Sequence, residues 1–356
     1  MKILIIGAGL AGLSAAVSLA KEDIASCLIS FQASERAQSV MAEGGINGAL
    51  NTMGEDDTAE EHFRDTMKAG GYISDPEAVR GLTEAAPGIL RELIALGTPF
   101  NIRGNVVQQR NFGGQKKKRT AYARSSTGKA LMSTLIDEAR RYEAAGLITR
   151  YPHHEFLEAV IKDGACRGCV VRDCFTGRIM EFKGPVIMAC GGLNGMFPEV
   201  TTGTVGNSGS AAAALFAQGV RFSNLEMIQY HPTTIRIPGK CALVSEAARG
   251  EGGRLFVMRD GSPWHFMEEK YPELGNLMPR DVVSRESYFV TCDENCGGQV
   301  YLDMRHLPEE TWKNRLPDMR EEIKYYLGID PAKEPVPVYT GIHYFMGGID
   351  VDVHHR

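Results

Sequence analysis

An α/β fold built around a Rossmann-like nucleotide-binding domain is predicted by three stretches of this sequence. ILIIGAGLAGLSAA sets four apolar residues ahead of Gly7, Gly9 and Gly12, and an Ala/Leu-rich segment follows. Glu155 to Lys183 is rich in β-favouring residues. GPVIMACGG, Gly184 to Gly192, is a second apolar strand that ends in a glycine pair.

The first stretch has the strand-before and helix-after context that a G-x-G-x-x-G needs. Gly7 permits the tight turn, Gly9 next to Ala8 lets backbone approach a pyrophosphate, and Gly12 lets the helix pack on its strand. The following strand, about Ser26 to Phe31, would end in an acid if it held a nicotinamide ribose. Ser30 stands there instead, and its hydroxyl can still bond a ribose hydroxyl. Dinucleotide binding is therefore expected and NAD is disfavoured. The uncharged run Ile3 to Ala20 is long enough to raise a membrane span. Its glycine pattern and the Lys-Glu-Asp run after it predict a buried strand and helix, with no targeting or spanning segment.

Residues 34 to 50, SERAQSVMAEGGINGAL, carry the pair Gly44-Gly45 after Glu43. Paired glycines mark backbone that bends sharply or admits a ligand closely.

With 356 residues the chain has room for two domains. A net charge of -5 gives no reason to expect a nucleic-acid surface. Eight cysteines in a chain this long read as reduced cytosolic thiols rather than a secreted scaffold. Cys166-x-x-Cys169 and Cys292-x3-Cys296 supply four thiols, but the first pair sits in a strand-turn-strand pattern whose Val170 and Val171 call for burial. No metal site is expected. Lys116, Lys117 and Lys118 read as a solvated turn. His62, His153, His154, His265 and His306 read as ordinary core or surface histidines.

Five further stretches stand in order: RNFGGQKKKRTAYARSSTGKALM, NLEMIQYHPT, VSEAARGEGG, MPRDVVSRE and GIHYFMGGI. Together with the glycine motifs they resemble the flavoprotein subunits of fumarate reductase and succinate dehydrogenase, over almost the whole chain. That resemblance implies an FAD-binding domain, residues 1–229 and 343–356, interrupted by a smaller α+β capping domain, 230–342, with the active site between them. FAD would be held by Gly7, Ala8, Gly9, Gly12, Ser30, Gln38, Ser39, Glu43, Gly44, Gly45, Phe156, Ala189, Gly191 and Ser210. In the family a further FAD-binding segment, a substrate arginine and a helical domain follow; their place would lie beyond Arg356, on a longer chain or a separate polypeptide.

By the same resemblance His231 and His343 bind substrate with Ser245, and Phe112 lines the pocket while Gly113 and Gly114 let its loop approach the flavin. Hydride would leave flavin N5 for one alkene carbon of fumarate. Arg280 would protonate the other, resupplied through Glu246 and Arg249. Taken alone, Arg280 would read as an ion-pair partner of Asp281. Where most complex-forming members carry a flavin-linked histidine, this chain has Gln38, followed by Ser39. An amide is no nucleophile for that linkage, so FAD is expected to be non-covalent and the reaction biased toward fumarate reduction. An iron–sulfur subunit, and through it a membrane quinone subunit, would be the electron partners of a cytoplasmic or peripheral protein. An L-aspartate oxidase-like enzyme, another 2-enoate reductase, or a non-catalytic flavin-binding or assembly component are the alternatives.

Overall fold

Ile3–Ile6 lies between parallel strands on both sides, which is why it reads as an unbroken apolar run. In this computed structural model, which describes residues 2–112 and 115–355, the strand order is Val186–Met188, Ile3–Ile6, Ser26–Ser30, Ile148–Pro152. All three pairings are parallel. The chain leaves Ile3–Ile6 toward one side for two strands and returns on the other with Val186–Met188. That reversal creates the crevice where open α/β sheets bind ligands, at the carboxyl ends of the strands.

The helix Leu10–Lys21 covers this sheet with Gly12, Leu13, Ala16, Val17 and Ala20, an i, i+1, i+4, i+5, i+8 stripe. A longer helix, Thr127–Ala144, packs beside it through Leu131, Leu135, Ile136 and Ala139. The opposite face carries an antiparallel three-stranded sheet of His154–Lys162, Ala165–Asp173 and Ile179–Lys183. Phe156, Cys169 and Val171 from that sheet pack against Leu4, Ile6 and Ile29. Val171 is buried and Val170 half-buried, while Cys166 is exposed. No group of three or more His, Cys, Asp or Glu side chains among the described residues is placed to hold a metal.

A second core forms under a six-stranded antiparallel sheet ordered Lys240–Leu243, Ile228–Ile237, Val336–Phe345, Cys296–Asp303, Arg254–Arg259, Ser262–Trp264. Leu255, Val257, Val283, Leu302, Trp312 and Val338 fill it. Its two long strands, Ile228–Ile237 and Val336–Phe345, enter and leave side by side and carry one histidine each toward the first domain. No described helix is long and apolar enough to cross a membrane.

Candidate active site

Gly7 has φ of +112°, and a Cβ built there would lie 2.0 Å from the Ala189 carbonyl oxygen. A Cβ on Gly12 would lie 1.8 Å from the Gly7 carbonyl oxygen. Turn, helix and returning strand are thus in backbone contact, and only glycine fits at either position. Ser39 Oγ accepts the Leu10 amide at 3.1 Å, so Ser39 supplies a partner to one orphan donor of the Leu10–Lys21 N-terminus. Ala8 is buried in the same turn.

A cavity at the carboxyl ends of the strands is lined by Gly7, Ser30, Phe156, Gly191 and Ser210. Ser30 Oγ donates to the Gln32 carbonyl at 2.7 Å and keeps acceptor capacity. The same cavity includes His154, Glu155 and Asn207, which the sequence reading passed over. His154 lies at the cavity rim, its Nδ1 2.8 Å from the Pro152 carbonyl.

The other end of the crevice is built from the glycine pair. Gly45 has φ of +141°, and a Cβ there would meet Thr120 at 2.4 Å. Phe112 packs on Gly44, where a Cβ would be 3.1 Å from its ring. Gly113 and Gly114 lie outside the described residues. Arg110, unassigned from sequence, donates to the Gly44 carbonyl at 2.6 Å and stacks on Tyr122, 4.2 Å from the ring centre. Lys117 and Lys118 are not a free solvated turn, since both are tied to Glu55.

Burial pushes the Glu43 carboxyl up to about 8, Glu322 pushes the same way, and a Ser245 hydrogen bond with the Arg110 charge opposes them. Glu43 therefore links the glycine pair to Ser245 across the crevice, with its carboxyl held toward the protonated form.

Across that crevice, Arg280 opens the helix Arg280–Cys292 and turns away from Asp281. Its Nε donates to Glu246 Oε2 at 2.8 Å, and its Nη1 donates to Gln229 Oε1 at 2.9 Å. Glu246 is the N-cap of the short helix Ala247–Gly250 and Arg249 lies within it, and i,i+3 spacing puts them on one face. Arg249 Nη2 lies 3.4 Å from Glu246 Oε1, and Arg249 Nη1 donates to the Asn276 carbonyl at 2.7 Å. The Arg249 side chain has 0% exposure. Burial lowers its pKa, with Glu246 opposing and Arg280 reinforcing the shift. Charges this deeply buried cost several kcal/mol each in desolvation. Such a chain of Arg, Glu and Arg is more readily explained by chemistry than by stability.

His231 and His343 complete the wall, their ring centres 5.2 Å apart. Burial, then Arg280, pulls the His231 pKa well below its ordinary value. The same two causes hold His343 at about 4. Both rings are neutral at pH 7 and act as hydrogen-bonding groups rather than cations. His231 Nε2 is buried without a partner among the described residues.

Glycine turn, helix N-terminus, cavity and glycine pair together fit a dinucleotide with a second, planar end. Residues 2–356 match the family of the FAD binding domain. The chain belongs to that family. This FAD-binding protein is 42% identical to the succinate dehydrogenase flavoprotein subunit of Bacillus subtilis, over 98% of its own length and 61% of the relative's. It is 34% identical to the fumarate reductase flavoprotein subunit of Escherichia coli, over 98% of its length and 59% of the relative's. Among solved structures it superimposes on E. coli quinol fumarate reductase with a TM-score of 0.90 and 32% identity, covering 99% of this chain and 62% of that one. The FAD-binding chain thus spans about 60% of the length of the relatives it matches.

Gln229 and Arg110, with Glu155 and Asn207 in the cavity, are the crevice residues that sequence reasoning did not assign. Gln229 stands inside the quoted NLEMIQYHPT, two residues before His231, and that spacing along a strand was the available signal.

Proposed function

We propose that this FAD-binding protein is an oxidoreductase that interconverts fumarate and succinate, biased toward fumarate reduction. The single observation that carries the proposal is the Arg280–Glu246–Arg249 chain ending beside two neutral histidines. Gly7, Gly9, Ser39, Gly44 and Gly45 would hold the FAD, which supplies hydride chemistry at its flavin ring when bound.

The remaining work falls to side chains. His231, His343 and the Ser245 hydroxyl bind the two carboxylates, and Phe112 closes the pocket against water. Neutral donors aimed at carboxylates let negative charge grow on the alkene carbon. Arg280 gives up a proton at that carbon. An arginine acid is demanding because its ordinary pKa exceeds about 12. It serves here because Glu246 lies at hydrogen-bond distance and returns the proton at once, with Arg249 behind it. Residues 230–342 act as the capping domain, and 1–229 with 343–356 as the FAD domain.

Gln38 keeps the FAD non-covalent, which lowers the flavin potential relative to covalently linked relatives and disfavours succinate oxidation. Electrons arrive from an iron–sulfur subunit, and through it from a membrane quinone subunit, with the protein peripheral at the cytoplasmic face. The test is fumarate-dependent oxidation of a reduced viologen dye by the FAD-loaded protein, followed by acid precipitation. Turnover with yellow supernatant supports the proposal. Flavin that stays in the pellet contradicts the role of Gln38. Bound flavin without turnover would leave a flavin-binding or assembly role.

A further inference from the structure

His343 is held by a short segment that sequence reading gave no role. Residues 200–204 run alongside the strand Val336–Phe345, with a parallel bridge between Thr201 and Ile342. The Thr202 amide donates to the Ile342 carbonyl at 2.9 Å, and the Ile342 amide donates to the Val200 carbonyl at 2.8 Å. Gly341 makes this approach feasible, since a Cβ there would sit 2.9 Å from the Thr234 side chain and 3.2 Å from the Val200 carbonyl oxygen. Buried Asn194 clamps the arrangement, donating at 3.0 Å to both Thr201 Oγ1 and the His343 carbonyl.

On that scaffold the Thr202 hydroxyl lies 2.8 Å from His343 Nδ1 and only 3.4 Å from the Ile342 carbonyl. The shorter contact is the better acceptor for the hydroxyl proton, because 3.4 Å lies outside the usual O–H···O range of about 2.5–3.0 Å. A hydroxyl that donates to Nδ1 makes that nitrogen the acceptor of a neutral imidazole, and the proton then sits on Nε2. Among the described residues the other charged or titratable groups facing the ring are Arg280, Glu246, His231 and Tyr344. The segment is fastened at its far end too. The Thr204 amide donates to the Gln38 carboxamide oxygen, so Gln38 and His343 are tied to one stretch of five residues.

We propose that Thr202 is a positioning residue that locks His343 as its Nε2-protonated tautomer, and that Gln38 acts through Thr204 to keep Thr202 in place. This inference rests on the fumarate reading for its purpose: a neutral histidine can hydrogen-bond a substrate carboxylate only through a protonated nitrogen. It gives Gln38 a role separate from the absence of a flavin bond. The carboxamide is an anchor for the substrate wall.

The experiment reads the tautomer directly. FAD-loaded protein labelled with ¹⁵N-histidine is compared as wild type, Thr202→Val, Thr202→Ser, Gln38→Ala and Gln38→Glu, with His343→Gln assigning the resonance. Malonate, a dicarboxylate that cannot be reduced, is titrated in parallel by flavin difference absorbance. Wild type and Thr202→Ser should show an unprotonated Nδ1 and a protonated Nε2. Thr202→Val should lose that single tautomer and bind malonate about tenfold more weakly, the scale of one hydrogen bond. Gln38→Ala should move both readouts the same way by a smaller factor, and Gln38→Glu, which keeps an acceptor oxygen, should restore them. The Thr202→Val/Gln38→Ala double variant should be no worse than Thr202→Val, because the two act in series.

A proton on Nδ1 in wild type, or a tautomer indifferent to Thr202→Val, overturns the lock. Losses that add in the double variant overturn the link to Gln38. If wild type fails to bind malonate while the tautomer still depends on Thr202, the fumarate reading falls and the lock stands. If malonate binds but the tautomer is indifferent, the lock falls and the fumarate reading stands.

Discussion

Arg280 and Glu246 meet through two guanidinium nitrogens on one carboxylate oxygen, with Nε and Nη2 both 2.8 Å from Oε2. The third nitrogen, Nη1, is committed to Gln229. Arg280 is thereby fixed in position and orientation by two separate elements before any substrate arrives.

A lysine cannot reproduce that geometry, because its single ammonium cannot span Glu246 and Gln229 in one plane. Arg280→Lys should lower kcat for fumarate by at least about a hundredfold, within the range that general acids contribute. The flavin spectrum should stay unchanged, since Arg280 lies on the capping side of the crevice. Near-normal turnover in the dye assay would remove Arg280 from the proton path.

The buried acid and the buried histidine predict opposite slopes of stability with pH. His343 is lowered from 6.5 to about 4, so between those values the unfolded chain binds the proton and the folded one does not. Its contribution is present above about 6.5 and is lost as pH falls through about 4. Glu43 is raised from 4.5 to about 8, so the folded protein holds the extra proton across that window. Its contribution is present below about 4.5 and is lost as pH rises through about 8. Melting temperatures from pH 4 to 8.5 should fall at both ends. Glu43→Gln should flatten the alkaline limb and His343→Gln the acidic one. An alkaline limb unchanged by Glu43→Gln would show that the carboxyl is already ionised in the folded protein.

The nucleotide turn allows a sharper prediction. Gly7→Ala places a methyl group 2.0 Å from the Ala189 carbonyl oxygen at φ of +112°, where L-residues are strained whatever the space. Backbone strain and steric overlap together should cost about 3 kcal/mol or more. The protein should purify without flavin absorbance, and soluble yellow protein would mean that the turn yields.

Much of this was legible because the determining features are local in sequence. Gly7, Gly9 and Gly12 stand at the junction of a strand and a helix, and the Gly12 contact with the Gly7 carbonyl is local, although the Ala189 contact at Gly7 is not. Glu246 and Arg249 are three residues apart on one turn. The misses share a different origin. Thr202 reaches His343 across 141 residues, Thr204 reaches Gln38 across 166, and Gln229 reaches Arg280 across 51. No periodicity encodes such pairings, which exist only once the capping strands return to the sheet. The place of His154 at the cavity has the same origin, since that cavity is assembled from several separate stretches.

The last prediction concerns the support beneath the glycine pair. Arg119 is fully buried, with Nη2 2.8 Å from Asp57 Oδ1 and 3.0 Å from Asp65 Oδ2. Burial raises the Asp57 pKa even against the opposing Arg119 charge, so desolvation outweighs the attraction there. A pair of this kind is a poor source of net stability, yet removing one partner leaves an uncompensated buried charge. Arg119 also stands beside the flavin crevice, since its carbonyl accepts the Gly48 amide at 3.0 Å and Gln109 Nε2 at 2.7 Å. Arg119→Met should therefore lower unfolding free energy by about 3–5 kcal/mol and weaken FAD retention. The double variant Arg119→Met/Asp57→Asn, which removes the more deeply buried of the two orphaned carboxylates and leaves Asp65, should recover part of the stability. Urea unfolding followed by tryptophan fluorescence reads both values. A double variant as unstable as the single one would mean that Arg119 acts through packing of its side chain rather than through charge.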